Sequence, residues 1–363
     1  MLIKDLYLKD WRNGEENILS FSPQTTLICG ENAAGKTNIL EGICFFAAGK
    51  SFRGCKDKEL IRFGCDVASA DITYISNGVT SKMGVRLKKN AKKSFLKNGA
   101  PISKMSEFLG AFRCVIFTPD HLDLVKGAPE NRRRFLDLAI SQSFPRYAST
   151  LSEYNRVLAQ KNALLKRGNV INELLEVYNE KLAALAGTIT VNRRKYINRL
   201  EREAKMFLAD MSGGKEELTL SYQTQAGDLE TQEEIKEKYI SLFAEKMQYE
   251  KDHFLAHYGA HKDDFSVVIN KKSARMYGSQ GQQRSAVLAL KLAEGELSAK
   301  LTGEYPVFLL DDILSELDKD RKNYILSRIT DRQVIITGCE KEVFETDSDV
   351  NRIFVENGVS RNV

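Results

Sequence analysis

Two stretches of this chain combine residue types at a spacing suited to holding a triphosphate. Gly30-Glu31-Asn32-Ala33-Ala34-Gly35-Lys36-Thr37 fits G-x-x-x-x-G-K-[ST] in full. Glycines at its two ends let successive backbone N–H groups turn inward around phosphate oxygens, and a helix opening behind them adds partial positive charge. In such a loop Lys36 reaches the β- and γ-phosphates and the Thr37 hydroxyl ligates magnesium. The second stretch, Tyr305-Pro306-Val307-Phe308-Leu309-Leu310-Asp311-Asp312, is an apolar run ending in two carboxylates. A buried parallel strand delivers its terminal acid beside the loop, where Asp311 holds magnesium through water and Asp312 could polarise an attacking water as general base. A glycine-rich turn or an acidic turn would each be unremarkable alone. Together, with a strand before the loop and a helix after it, they predict a site for ATP and Mg2+.

A third stretch, Ser279-Gln280-Gly281-Gln282, directly precedes a long apolar helix. Ser followed three residues later by Gln is a capping box, which needs no function beyond starting a helix cleanly. The functional alternative is a second anion site made by Ser279, Gly281, Gln282 and the helix dipole. One chain has no evident use for two γ-phosphate sites. Two chains facing head to tail do, each clamping its partner's nucleotide.

The elements that must position these residues fall into three parts. Leu2 to Trp11 and Thr25 to Cys29 read as strands, Asn38 to Ala47 as helix, and Asp71 to Ile116 as antiparallel β structure. From Thr118-Pro119, an N-cap followed by proline, the chain reads as mostly helical to Tyr258. There Phe144, Tyr147, Leu151, Tyr154 and Leu158 step by 3, 4, 3 and 4, and Ile171, Leu175, Tyr178, Leu182, Leu185 and Ile189 continue the pattern after a break at Lys166 to Asn169. The spacing fits a short antiparallel helical hairpin or two core helices of a bundle. Beyond Gly259 strands return at Phe265 to Ile269, Tyr305 to Leu310, Gln333 to Thr337 and Ile353 to Asn357, with a helix from Ser279 to Lys300. The expected architecture is α/β, with an ATPase lobe from residues 1–117 and 259–363 and a helical lobe, 118–258, inserted in it.

Composition is compatible with this and excludes some alternatives. The chain has 363 residues, 42% hydrophobic and 28% charged, and a net charge of +5, too mild to establish a nucleic-acid partner by itself. The six cysteines contain no CxxC pair, which argues against a zinc ribbon and fits a reducing cytoplasm. No apolar run approaches the roughly 18 residues that span a bilayer, so no membrane association is expected.

The order of the motifs carries a resemblance. Walker A, a helical insertion, the Ser279 turn, Walker B and then Ser315-Glu316-Leu317-Asp318 is similar to the ABC-type ATPase heads of the SMC and Rad50 class. Within that class the chain resembles the RecF family of bacterial DNA replication and repair proteins. The likeness is carried by GENAAGKTNILEGI, by the run from Phe117 to Asp137, by Gly259-Ala260-His261-Lys262-Asp263-Asp264, by SQGQQRSAVLALKLAE and by FLLDDILSELD, and it extends over essentially the whole chain. It implies an ATP-dependent homodimer on duplex DNA near single-strand/double-strand junctions. It also implies slow DNA-stimulated ATP hydrolysis, used as a switch, and cooperation with RecR and RecO in loading RecA. Ser279, Gly281 and Gln282 match the family's signature motif, Ser315 to Asp318 its D-loop, and Arg12 the place of a nucleotide-contacting arginine. Two departures stand out. The family's GPHRDD stretch reads GAHKDD, so Lys262 replaces an arginine able to bind in bidentate fashion. After the strand ending at Thr337 the chain reads Gly338-Cys339-Glu340, without a transporter-type histidine, consistent with slow turnover.

The remaining polar residues allow two readings each. Lys126 with Arg132, Arg133 and Arg134 could contact DNA phosphates or form a solvated helix face with an ion pair. Lys88, Lys89, Lys92, Lys93 and Lys97 make a second basic patch. His253, His257 and His261 recur at four-residue intervals and would align as metal ligands only on an unbroken helix, which Gly259 is expected to end. A transporter ATPase subunit or an ATPase-regulated nuclease remain as other functions. The first would need a membrane partner, and the second an added acidic metal cluster.

Overall fold

The computed structural model describes residues 1–168, 171–338 and 350–362; Asn169, Cys339 and Glu340 lie outside them. The chain forms two compact units, Met1–His121 with Lys291–Val363, and Leu122–Leu290.

The first unit contains two six-stranded sheets. One is antiparallel, in the order Gly14–Ser20, Leu2–Trp11, Val67–Ser76, Val79–Lys88, Ser94–Lys97, Ala100–Ile102. The other runs Val359–Asn362, Asn351–Glu356, Thr25–Cys29, Val334–Gly338, Val307–Asp311, Cys114–Phe117. Every pairing in it is parallel except the hairpin at Asn351–Asn362. Parallel strands covered on both faces read as unbroken apolar runs rather than alternations, and Val307–Asp311 and Val334–Gly338 are buried throughout. The helix Lys36–Ala48 belongs to one apolar core with residues of both sheets, among them Leu6 and Trp11 of the antiparallel one and Leu309 and Ile335 of the parallel one. A helix enclosed in this way cannot be amphipathic. Ten of its 13 residues are buried, and Gly42 is small because a Cβ there would stand 2.8 Å from Leu8 Cδ2.

The second unit is built on the helices Pro129–Ser143, Pro145–Leu165, Asn172–Met211 and Gln232–Asp252. The predicted pair of packed helices is present, although the second runs for 40 residues, well past Ile189. Thr118 does not cap a long helix. His121 Nδ1 accepts its backbone N–H at 2.9 Å, a 3-10 turn at Pro119–Leu122 and a short helix at Asp123–Lys126 follow, and the first long helix starts at Pro129. The boundary expected at residue 259 moves as well. Asp264–Ile269 pairs antiparallel with Leu218–Gln223, a strand inside the stretch read as helical, and with Lys272–Ser273. These hydrogen bonds tie residues 264–273 to the second unit, Leu122–Leu290, in which the Ser279 turn also lies. Among the described residues no helix is long and apolar enough to cross a membrane.

Candidate nucleotide site

The parallel sheet sets the site's geometry through its register. Thr25–Cys29, Val334–Gly338 and Val307–Asp311 are successive neighbours, with Gly338 opposite Cys29 and Thr337 opposite Asp311. The carboxyl ends of three strands therefore finish level, and Gly30 leaves the first of them. The acid and the loop stand two strand spacings apart, about 10 Å, a gap closed by the first turn of the helix Lys36–Ala48. Thr37 Oγ1 donates to Asp311 Oδ1 at 2.8 Å, and Thr337 Oγ1 donates to the same oxygen at 2.9 Å.

The loop itself is a concave run of backbone. Gly30 (φ 154°), Ala33 (φ 66°) and Gly35 (φ 115°) have positive φ, which turns peptide N–H groups toward one side as an anion nest. At Gly30 the requirement is steric as well, since a Cβ there would lie 2.2 Å from the Val355 carbonyl oxygen. Lys36 is buried and donates to the carbonyls of Gly30 (2.8 Å) and Glu31 (3.1 Å), so its ammonium sits against the loop. Glu31 and Asn32 are exposed and Ala34 is buried. Asn38 and Ile39 N–H groups donate to the Gly35 carbonyl at 3.0 and 3.3 Å, and the N–H groups ahead of them at the helix start supply further donors.

Asp311 is buried, and that burial lifts its carboxyl above its ordinary range, while the hydrogen bonds from Thr37 and Thr337 pull it back. A carboxylate held this way is stabilised by a nearby cation. The donors at hand, a carboxylate and a hydroxyl, are hard oxygens of the kind magnesium takes beside phosphate oxygens and water. Among the described residues no group of three or more His, Cys, Asp or Glu side chains could hold a metal on its own. Asp312 is half-buried in a left-handed conformation (φ 49°), its N–H donating to Thr337 Oγ1 at 3.0 Å and its carbonyl accepting from Ser315 Oγ at 2.7 Å. Aspartate is among the non-glycine residues that enter this conformation most readily.

Arg12 does not project freely. Its guanidinium makes a bidentate pair with Glu41 of the P-loop helix at 2.6 and 2.7 Å and donates to the Glu59 carbonyl at 3.0 Å. Glu41 is fully buried, and the hydrogen bonds to it hold Arg12 above its ordinary pKa. Sequence reading missed three supports. Arg53 donates to Asn38 Oδ1 at 3.0 Å, next to Thr37. Asn13 accepts from Asn38 Nδ2 at 2.7 Å. Gly358, at the turn of the C-terminal hairpin, donates its N–H to the Ala34 carbonyl at 2.9 Å. The sequence signal for the last was the Asn357-Gly358 pair, which marks a tight hairpin but not what the hairpin touches.

In the second unit the capping box at Ser279 is formed. Gln282 N–H donates to Ser279 Oγ at 3.2 Å and Ser279 N–H to Gln282 Oε1 at 2.9 Å, at the start of the helix Gln280–Thr302. Ser279 is exposed and Gly281 half-buried. Arg132 is buried in an ion pair. It is 4% exposed, bidentate to Asp264 at 2.7 and 2.9 Å, with a third bond to the Gly127 carbonyl at 2.9 Å. Of the two readings the ion pair holds, and the partner is the last residue of GAHKDD. Arg133 donates to the Asp263 carbonyl at 2.8 Å, Arg134 is half-buried, and Lys126 and Lys262 are exposed. The His253 and His257 rings meet at 5.7 Å between centroids, but His261 takes other partners. The helix Gln232–Asp252 stops before His253, which stacks on Tyr249, while His261 is hydrogen-bonded to the Tyr154 hydroxyl at 2.8 Å.

The RecF/RecN/SMC N terminal domain family matches residues 2–361. The DNA replication and repair protein RecF of Clostridium acetobutylicum is 38% identical over 363 residues, covering 99% of each chain. Among solved structures, that of the recombination mediator protein RecF with ATP in the RecFOR pathway aligns with a TM-score of 0.93 at 33% identity, covering 100% of this chain and 97% of its own. The Smc head domain of Pyrococcus furiosus, bound to the C-terminal domain of ScpA, aligns at 0.57 with 18% identity, covering 100% and 96%, a likeness of fold.

Proposed function

This chain belongs to the RecF family of DNA replication and repair proteins, within the RecF/RecN/SMC group, and on that premise we propose that it is an ATP-operated DNA clamp of the RecFOR pathway. Gly30 to Thr37 would hold the triphosphate. Lys36 would exchange its two loop carbonyls for phosphate oxygens, and Thr37 and Asp311 would separate enough to share magnesium. Magnesium, when bound, supplies the charge that neutralises the phosphates. Asp312 then stands as the acceptor for a proton from water, and Arg12 acts through Glu41 to fix the P-loop helix. The observation that carries the reading is the Thr37–Asp311 hydrogen bond, which joins residues 274 positions apart at the one place both motifs require.

The exposed Ser279 turn, with Gly281 and Gln282 on the first turn of a 23-residue helix, would clamp the γ-phosphate held by a second copy, and Ser315 to Asp318 would serve as the D-loop across the dimer. Nucleotide would then close a homodimer on duplex DNA near single-strand/double-strand junctions, with slow DNA-stimulated hydrolysis releasing it. RecR and RecO would be its cytoplasmic partners in loading RecA. Sedimentation with ATP, magnesium and duplex DNA tests this. Lys36→Ala should abolish nucleotide binding, and Ser279→Arg should bind nucleotide normally yet stay monomeric. A Ser279→Arg protein that dimerises like the wild type refutes the head-to-tail clamp.

A further inference from the structure

The basic run from Lys88 to Lys97 dissolves into unlike parts once folded. Lys89 pairs with Asp66 at 3.2 Å, and Lys93 with Asp57 at 3.0 Å while donating to the Gly49 carbonyl at 2.7 Å. Lys88 and Lys92 instead meet two cations from elsewhere, Lys9 and Arg86, around an open cavity of about 420 Å³ on the antiparallel sheet. The register explains why. Lys9 lies opposite Ser69, and Ser69 opposite Arg86, so one cross-strand row carries a cation, a small hydroxyl and a cation. Lys88 follows two residues on from Arg86, on the same face, and Val67 opposite it helps to line the cavity. Lys9, Arg86, Lys88 and Lys92 are all exposed. Negative groups reach this region already partnered: Asp10, which lines the cavity, binds Arg62 at 2.7 Å, Asp71 binds Arg86 at 2.9 Å, and Asp66 binds Lys89 at 3.2 Å.

We propose that this groove is a track for the phosphodiester backbone of duplex DNA, with Lys9, Lys88 and Lys92 as its principal phosphate contacts. The Cα atoms of Arg86 and Lys88 lie about 7 Å apart along one strand, and those of Lys9 and Arg86 about 10 Å apart across two strand spacings. Cations spread along such a row suit successive phosphates of a polymer. The short side chain of Ser69 at the centre of the row leaves room for a backbone to lie across the sheet. Lysine contacts to phosphates are independent of sequence and strongly salt-dependent. The proposal rests on the DNA-clamp reading and adds a location to it.

Fluorescence anisotropy with a labelled duplex, from 50 to 300 mM salt, decides the matter on the full chain with ATP and magnesium. Lys9→Gln/Lys88→Gln/Lys92→Gln should weaken binding more than tenfold at low salt. It should also reduce the slope of log K against log salt by about 2 to 3, near 0.9 for each phosphate no longer neutralised. Lys89→Gln/Lys93→Gln, which removes the paired lysines, should change the slope by less than about 1, and nucleotide affinity should be unaltered in both. Wild-type binding with an unchanged slope in the triple variant overturns the groove alone. A wild-type chain that binds no duplex overturns the clamp reading and the groove with it. Should the triple variant lose affinity for an oligoglutamate peptide but not for duplex, the surface serves an acidic protein segment and the proposal falls.

Discussion

Replacing Arg132 with alanine separates a structural arginine from a DNA-contacting one, and the structure sets the size of the effect. The change removes two charge-assisted hydrogen bonds to Asp264, at 2.7 and 2.9 Å, and one to the Gly127 carbonyl at 2.9 Å, from a site only 4% exposed. Breaking a buried pair by deleting one partner costs about 3–5 kcal/mol, because the other charge stays behind desolvated. The Asp264 side chain keeps 19% of its exposure, so water can partly rehydrate it, which places the expected loss near the lower end, about 3 kcal/mol. With a urea m-value of about 3 kcal/mol/M, that is a fall of about 1 M in the unfolding midpoint. Circular dichroism across a urea series measures it. The double variant Arg132→Met/Asp264→Leu, with no orphaned charge, should recover much of the loss, and the cycle of single and double variants gives the coupling. An Arg132→Ala protein with an unshifted midpoint refutes the ion-pair account. A folded Arg132→Ala protein whose DNA salt slope drops by about 1 would return this residue to phosphate contact.

Two further outcomes follow from the geometry. Gly30→Ala places a methyl group 2.2 Å from the Val355 carbonyl oxygen at φ 154°, so the loop must distort; affinity for a fluorescent ATP analogue should fall more than tenfold with the rest of the fold intact, and wild-type affinity would contradict the loop geometry. Burial pushes the His261 imidazole down to about 4, so the unfolded chain binds a proton near pH 6.5 that the folded chain refuses. Its contribution to stability is complete above about pH 6.5 and is lost as pH falls toward 4. The urea midpoint of wild type should therefore decline between pH 7 and 5 more steeply than that of His261→Gln, and parallel declines would discount this histidine.

Local signals were legible where local physics makes the structure. The glycines at 30 and 35 adopt positive φ in the loop, Val307–Asp311 is buried along its whole length, and Asn357-Gly358 turns a hairpin. Where the sequence misled, the deciding partner was distant. Leu218–Gln223 is a strand because Asp264–Ile269 comes to lie beside it, and a six-residue segment within a helical region cannot announce that. The three arginines at 132–134 look alike in sequence, and only Asp264 and the Asp263 carbonyl distinguish two of them. The five lysines near residue 90 look like one patch until Asp66 and Asp57 claim two of them.

The sequence alone therefore determined the chemistry on offer: a phosphate loop, an acid at the end of a buried strand and a capped helix that could face an anion. Those depend on glycine φ, on apolar runs and on capping, which act within a few residues. Tertiary structure decided which charges remain available. Long side chains reach partners brought near only by strand register and packing, so Arg12 went to Glu41 and Arg132 to Asp264, while Lys9 joined Lys88 across three strands.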